Sequence, residues 1–432
     1  MNRTLYSGLW WLALPAVLGR LWWRGRKEPG YRAHWGERLS LGGPAPSPLP
    51  TIVLHAVSVG ETRAAEPVVE ALLKAYPDCR ILLTHMTPTG RATGRALFAQ
   101  HGARVVQSYL PYDTGAMTRR FLRRHRPRAV ILMETEVWPN LIRACAQAGV
   151  PVVLANARLS ERSLARGRKA GAVMQEAARS FTLVAAQTEA DAERIRSLGA
   201  PRVEVTGSVK FDVAPPPVAL ELGDWLRGRI RAGAGERPVF LCASTREGEE
   251  ALILDAWQRS TDKPARALLL LVPRHPQRFD EVAALVAARG LALAYRSRLD
   301  PDHGIDGADV LLGDSMGEMF AYYAACDCAY IGGSLLPLGG QNLIEACALG
   351  KPVLVGEHTF NFLDATIEAV QDGAALRVSD ADALVRAAAR LLQGDADAHA
   401  ARVAMGTQAL AFANRHRGAT LRTVELVQQI IR

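Results

Sequence analysis

The chain has 432 residues with 52 Lys and Arg against 43 Asp and Glu, a net charge of +9, 49% hydrophobic residues and 22% charged ones. That length suits two ordinary domains, and the composition excludes a disordered chain. The positive excess points to anionic partners, but aromatics are only 6% and no nucleic-acid motif or interleaved aromatic and basic surface is evident, so nucleic acid is not expected among them.

The first element is an apolar run from Leu5 to Trp23, interrupted by Pro15 and Arg20. Its length approaches what a bilayer span needs, and Trp10, Trp11, Trp22 and Trp23 suit interfacial anchors. Arg24, Arg26, Lys27, Arg32 and Arg38 follow, a collar that would hold the rest of the chain on the cytoplasmic side and attract anionic headgroups. No small-residue cleavage site follows, so a signal peptide fits poorly. Residues 1–38 therefore read as a membrane anchor with a basic collar, either spanning the bilayer or lying in its interface.

After a Pro/Gly-rich connector, short apolar runs alternate with helical stretches: TIVLHAVS, RILLTHM, PRAVILMETE and VPVVLANARLS, ending near RVEVTGSVKFD. Continuous apolar runs between helices predict buried parallel strands, hence a doubly wound α/β domain over 50–212. Residues 213–223, with Pro215, Pro216 and Pro217, read as a stiff linker. A second series follows over 224–432: PVFLCAST, ALLLLVPRH, ADVLLGDS, CAYIGGSL and KPVLVGEH. Two successive Rossmann-like domains facing a cleft account for this pattern. The six cysteines form no CxxC pair and read as buried thiols.

Candidate chemistry lies in the loops after the strands. Glu61, in Ser58-Val59-Gly60-Glu61-Thr62, suits a general base and equally a helix-start carboxylate. Glu134 and Glu136 end a buried strand before Trp138-Pro139, and the loop at Asn156-Ala157-Arg158 is placed alike; capping or ion pairing competes with function at each. Lys210 is one of six lysines in a chain that otherwise uses Arg, a compact ammonium or a surface residue. In the second half, Pro273-Arg274 puts an arginine where it can grip a phosphate. Met316-Gly317-Glu318 lies at a helix start. Glycines at 332, 333, 339 and 340 precede Asn342-Leu343-Ile344-Glu345, where a helix N-terminus would meet an anion and Glu345 a ribose. The turn lacks both the GxGxxG and the Walker lysine patterns, and no carboxylate cluster has metal-ligand spacing, so neither a metal nor another cofactor is expected.

Together the stretches RGRKEPGYRAHWGER, HAVSVGE, MTPTG, LPYD, METEVWPN, NARLSERS, TGSVKFD, LVPRHPQRF, GDSMGEM, GGSLLPLGGQNLIEA and GEHTFNF resemble, in order and spacing, the Kdo (3-deoxy-D-manno-octulosonic acid) transferases of lipopolysaccharide assembly, glycosyltransferase family 30. The resemblance implies a GT-B fold with an acceptor domain first and a CMP-sugar domain second, the last helix crossing back. It implies inverting transfer of Kdo from CMP-Kdo to a lipid A precursor (lipid IVA) at the inner membrane's cytoplasmic face. Glu61 would be the base, Glu134 and Lys210 would stabilise the transition state, and Pro273, Arg274, Met316, Gly317, Glu318, Asn342, Leu343, Ile344 and Glu345 would bind CMP. Where many relatives have GGHNP this chain has GGQNL, which puts an acid role for Gln341 in doubt. Two rivals stand beside this reading, another GT-B protein acting on UDP-sugars and a non-catalytic, membrane-tethered carbohydrate-binding protein.

Overall fold

A computed structural model describes residues 1–231, 236–300, 304–305 and 307–431. The chain divides into two compact units, Met1–Asp212 with His416–Arg432, and Val213–Arg415.

In the first unit, β1 (Thr51–His55), β2 (Arg80–His85), β3 (Val105–Tyr109), β4 (Pro127–Met133), β5 (Val152–Ala157), β6 (Leu183–Ala186) and β7 (Val203–Val205) pair in the order β3-β2-β1-β4-β5-β6-β7. Every pairing is parallel. Successive side chains on a strand face opposite ways, and both faces here are apolar. Ile52, Leu54, Ile131, Met133 and Val153 join one buried cluster, while Val53, Val130, Leu132, Val152 and Leu154 join another. A sheet apolar on both faces must be covered on both, which is why helices alternate with the strands. The helix Ala419–Gln428 covers part of one face, its Val424 and Val427 packing with Val68 and Leu72. Asp212 holds the entry to that helix, accepting the Gly418 and Thr420 N–H groups at 2.5 Å each.

The second unit repeats the plan with β8 (Val239–Thr245), β9 (Leu268–Pro273), β10 (Leu293–Tyr295), β11 (Val310–Leu312), β12 (Cys328–Ile331), β13 (Val353–Val355) and β14 (Ala375–Arg377), in the order β10-β11-β9-β8-β12-β13-β14 and all parallel. Strand order reverses beside β1 in the first sheet and beside β8 in the second, and such a reversal opens a crevice outside the strands' carboxyl ends. The Pro-rich stretch does not stay extended to residue 223. Pro217 opens a helix, Pro217–Arg231, as a residue with no N–H to lose does readily in a first turn. All six cysteines are free and buried.

The N-terminal apolar run forms the helix Arg3–Arg24. Among the described residues no helix is long and apolar enough to cross a membrane, which corrects the spanning alternative. The physical reason is visible in its packing. Leu14 and Leu21 are buried with Tyr31, Tyr112 and Met117, and Trp10, Val17 and Leu18 pack around them. Tyr6 Oη donates to Asp113 Oδ2 at 2.9 Å, and Ser7 Oγ donates to Asn140 Oδ1 at 3.2 Å. One side of the helix is thus part of the first unit's core. The opposite side carries Leu5, Leu9, Leu12 and Trp23, between 48% and 80% exposed, at i, i+4, i+7 and i+18, so they share one face.

Candidate active site

The β1 loop turns into the helix Val59–Ala64, with Ser58 as its N-cap accepting the Glu61 N–H at 3.4 Å. Glu61 reaches back, and its Oε2 accepts the Val57 N–H at 2.5 Å. Glu61 thus does act as a helix-start carboxylate, although it takes the N–H of the residue before the cap rather than that of Ser58 itself. Its surroundings add more. Burial pushes its carboxyl up to about 7, the Val57 hydrogen bond opposes that, and the charges of Glu136 and then Glu134 reinforce it. A carboxylate poised near neutrality is what proton abstraction at physiological pH requires.

Glu134 follows β4 with φ +58°, a conformation that L residues avoid and that clusters at functional sites. Its Oε1 lies 2.9 Å from Lys210 Nζ. Glu136 accepts the Trp138 indole N–H at 2.7 Å, and burial raises its pKa. Behind it stands His55, wholly buried, with Nδ1 3.1 Å from the Thr84 carbonyl oxygen and Nε2 3.9 Å from Glu136 Oε2. The same Nδ1 lies 2.9 Å from the Thr84 hydroxyl. Burial, then the neighbouring His85, drives the His55 pKa down to about 3, and the ring is neutral. Thus β1, β4 and the turn after β7 bring Glu61, Glu134 and Lys210 together with Glu136 at the carboxyl edge of the sheet.

In the second unit Arg274 follows β9; its Nε donates to Gln341 Oε1 at 3.3 Å. Glu318 precedes the helix Met319–Ala325, accepting the Ser315 hydroxyl at 2.6 Å and lying 3.1 Å from Arg296 Nε. Gly317 has φ +82° with open space where a side chain would stand, a conformation that glycine adopts without strain. Met316 is 57% exposed. Asn342 Oδ1 accepts the Ile344 N–H at 3.0 Å, and its Nδ2 donates to Glu345 Oε1 at 3.2 Å.

Burial narrows what these residues can offer, and the expected helix N-terminus needs correction. Leu343 and Ile344 are 1% exposed, and Pro273 ends a strand buried throughout, so these three can offer a ligand only their backbone. The helix that starts beside them, Ile344–Ala348, is five residues long, too short to be a strong anion site by its dipole.

The sequence also hid a residue that shapes this loop. Glu249 is fully buried and accepts from the Gly333 N–H at 2.7 Å, the Leu335 N–H at 3.1 Å, the Arg246 N–H at 2.9 Å and Tyr330 Oη at 2.6 Å. Gly332 beside it passes so close to β8 that a Cβ would lie 2.4 Å from the Ser244 carbonyl oxygen. Glu249→Gln turns an NH2 toward backbone N–H groups and should destabilise the second unit by about 1–3 kcal/mol, read by urea denaturation; an unchanged midpoint would remove Glu249 from this role. Among the described residues no group of three or more His, Cys, Asp or Glu is arranged to hold a metal ion.

Two doubly wound parallel units with candidate site residues in the loops at their strands' carboxyl ends fit the class of GT-B proteins. Consistent with that class, the chain is similar in fold to the UDP-GlcNAc 2-epimerase from Neisseria meningitidis bound to UDP-GlcNAc, with a TM-score of 0.57 and 16% identity over 88% of this chain and 100% of that one; at that identity the likeness concerns fold alone. Residues 33–213 match the family described as 3-deoxy-D-manno-octulosonic-acid transferase (kdotransferase). The 3-deoxy-D-manno-octulosonic acid transferase of Bordetella pertussis is 47% identical over 99% of both chains, and that of Haemophilus influenzae is 37% identical over 99% of this chain and 98% of its own. The chain belongs to the Kdo transferase family, and its activity is that of a glycosyltransferase moving Kdo.

Proposed function

We propose that the protein moves Kdo from CMP-Kdo onto the glucosamine disaccharide of a lipid A precursor, lipid IVA, with inversion at the anomeric carbon. The second unit holds the donor, Arg274 meeting phosphate charge while the Asn342–Glu345 turn holds the nucleoside. Glu61 takes the proton of the attacking hydroxyl, the hydroxyl oxygen bonds to the anomeric carbon, and CMP leaves with the electron pair of the broken bond. Lys210, steadied by Glu134, faces the negative charge that the acidic sugar and its leaving group bring. No metal takes part. The reaction occurs on the cytoplasmic face of the inner membrane, where the exposed face of the helix Arg3–Arg24 and the exposed Arg24, Arg26, Lys27 and Arg32 rest on anionic lipid. Arg38, expected in the same collar, is instead buried over the Tyr109 ring.

The observation that carries this reading is the position of Glu61: half-buried, held by the Val57 N–H, and raised to about 7 beside two further carboxylates. The test is transfer by purified protein from CMP-Kdo to detergent-dispersed tetraacyl precursor, with products identified by mass spectrometry in EDTA and in Mg2+. Transfer in EDTA, with CMP but not UDP raising the melting temperature, is expected. Protection by UDP alone would favour the rival donor class, and loss in EDTA restored by Mg2+ would end the metal-free reading.

A further inference from the structure

Asn156 is the one wholly buried asparagine among the described residues, and it stands in β5 one residue from the strand's end with φ +52°. The turn interrupts the ladder: the pairing of β5 with β6 shifts between Leu154 and Ala157. Such irregularities re-aim side chains at sheet edges. Here the amide of Asn156 is aimed at two things. Its Oδ1 accepts the Val209 N–H at 3.1 Å, and its Nδ2 lies 3.5 Å from Glu134 Oε1. The Val209 contact fixes which way the amide faces, because an N–H needs an acceptor; the NH2 must then face the carboxylate. Gln187 Nε2 donates to the Asn156 carbonyl oxygen at 2.9 Å and steadies its backbone.

Val209 opens the short turn Val209–Asp212, in which Lys210 is the next residue. One buried amide therefore grips the turn that carries Lys210 and touches the carboxylate that Lys210 pairs with. From this juxtaposition we infer that Asn156 is a positioning residue that sets the Glu134–Lys210 pair in register, acting through those two side chains without touching substrate. The inference rests on the reading that this pair serves Kdo transfer.

An asparagine kept only because it tolerates φ > 0 would be replaceable by glycine, which adopts that conformation freely. The two roles separate in a double-variant cycle on the full chain, measuring kcat, KM for CMP-Kdo and melting temperature for Asn156→Gly, Asn156→Asp, Lys210→Ala and each Asn156 variant combined with Lys210→Ala. Asn156→Gly should lower kcat by roughly 10- to 100-fold with KM little changed, since a small misplacement of a charged group suffices for that. In the Lys210→Ala background the same change should cost no more than about threefold, because its partner is gone. Should Asn156→Gly not fold, Asn156→Asp carries the test: it keeps the size and the Val209 acceptor, and its loss of kcat should also vanish without Lys210. Near-normal kcat in the glycine variant, or losses that add, would overturn the inference. Normal turnover by Lys210→Ala alone would instead mean that the pair does not serve transfer.

Discussion

Glu61→Gln is expected to lower kcat by roughly 10² to 10⁴, the range that loss of a general base produces. The amide oxygen can still accept the Val57 N–H, so the cap on the helix Val59–Ala64 survives and the fold should hold. CMP protection should be unchanged, because the residues proposed to hold CMP all lie in the second unit. The wild-type profile of kcat against pH should rise through an acid limb near 7, since only the ionised carboxylate accepts a proton and its pKa is about 7. Glu136→Gln should move that limb down, because Glu136 contributes the larger of the two carboxylate charges raising Glu61. The linked stability effect has the opposite pH sense. A carboxyl whose folded pKa lies above its ordinary 4.5 adds stability below the unfolded value and loses it as pH rises toward 7. Glu61→Gln should therefore gain in melting temperature relative to wild type as pH rises from about 4.5 to about 7. Near-normal turnover in Glu61→Gln would remove it from the proposed role.

The two sheets were legible because both consist of buried parallel strands, whose unbroken Val, Ile and Leu runs need no tertiary context to be recognised. The loops were legible only as places. HAVSVGE and METEVWPN mark strand ends, but nothing in either string says that Glu61 and Glu136 sense each other's charge. That coupling comes from β1 and β4 being neighbours in space, their parallel register setting Ile52 beside Ala129 and Leu54 beside Ile131 across a long stretch of chain. Glu249 escaped for a different reason. It sits in Arg246-Glu247-Gly248-Glu249-Glu250, where any one of three acids looks like an ordinary helix-start charge. Its burial follows from β12 lying beside β8. Leu343 and Ile344 were placed in the CMP site by resemblance alone, and their apolar side chains already pointed inward, leaving their backbone to face a ligand.

The N-terminal helix was legible as apolar but not as two-faced, and its two faces yield separate predictions. Leu14 and Leu21 are buried against Tyr112 and Met117, so deleting the helix would strip core from the first unit and confuse attachment with folding. The exposed face offers a cleaner change. Leu5, Leu9, Leu12 and Trp23 contact water over roughly half or more of their surface, and none belongs to the buried cluster with Leu14. Replacing all four by Ser should leave the melting temperature nearly unchanged. An apolar side chain fully withdrawn from water contributes about 1.5–3 kcal/mol; four half-exposed ones therefore amount to at least about 3 kcal/mol, or roughly 100-fold in partition onto vesicles. Residual attachment would come from Arg24, Arg26 and Lys27, all exposed, and should vanish as salt screens it. Transfer to detergent-dispersed acceptor should persist, whereas transfer to acceptor embedded in anionic vesicles should fall with the binding. If the four-residue variant sediments with vesicles as well as wild type does, that face is not the membrane contact. Equal losses on dispersed and embedded acceptor would instead mean that it touches the acceptor itself.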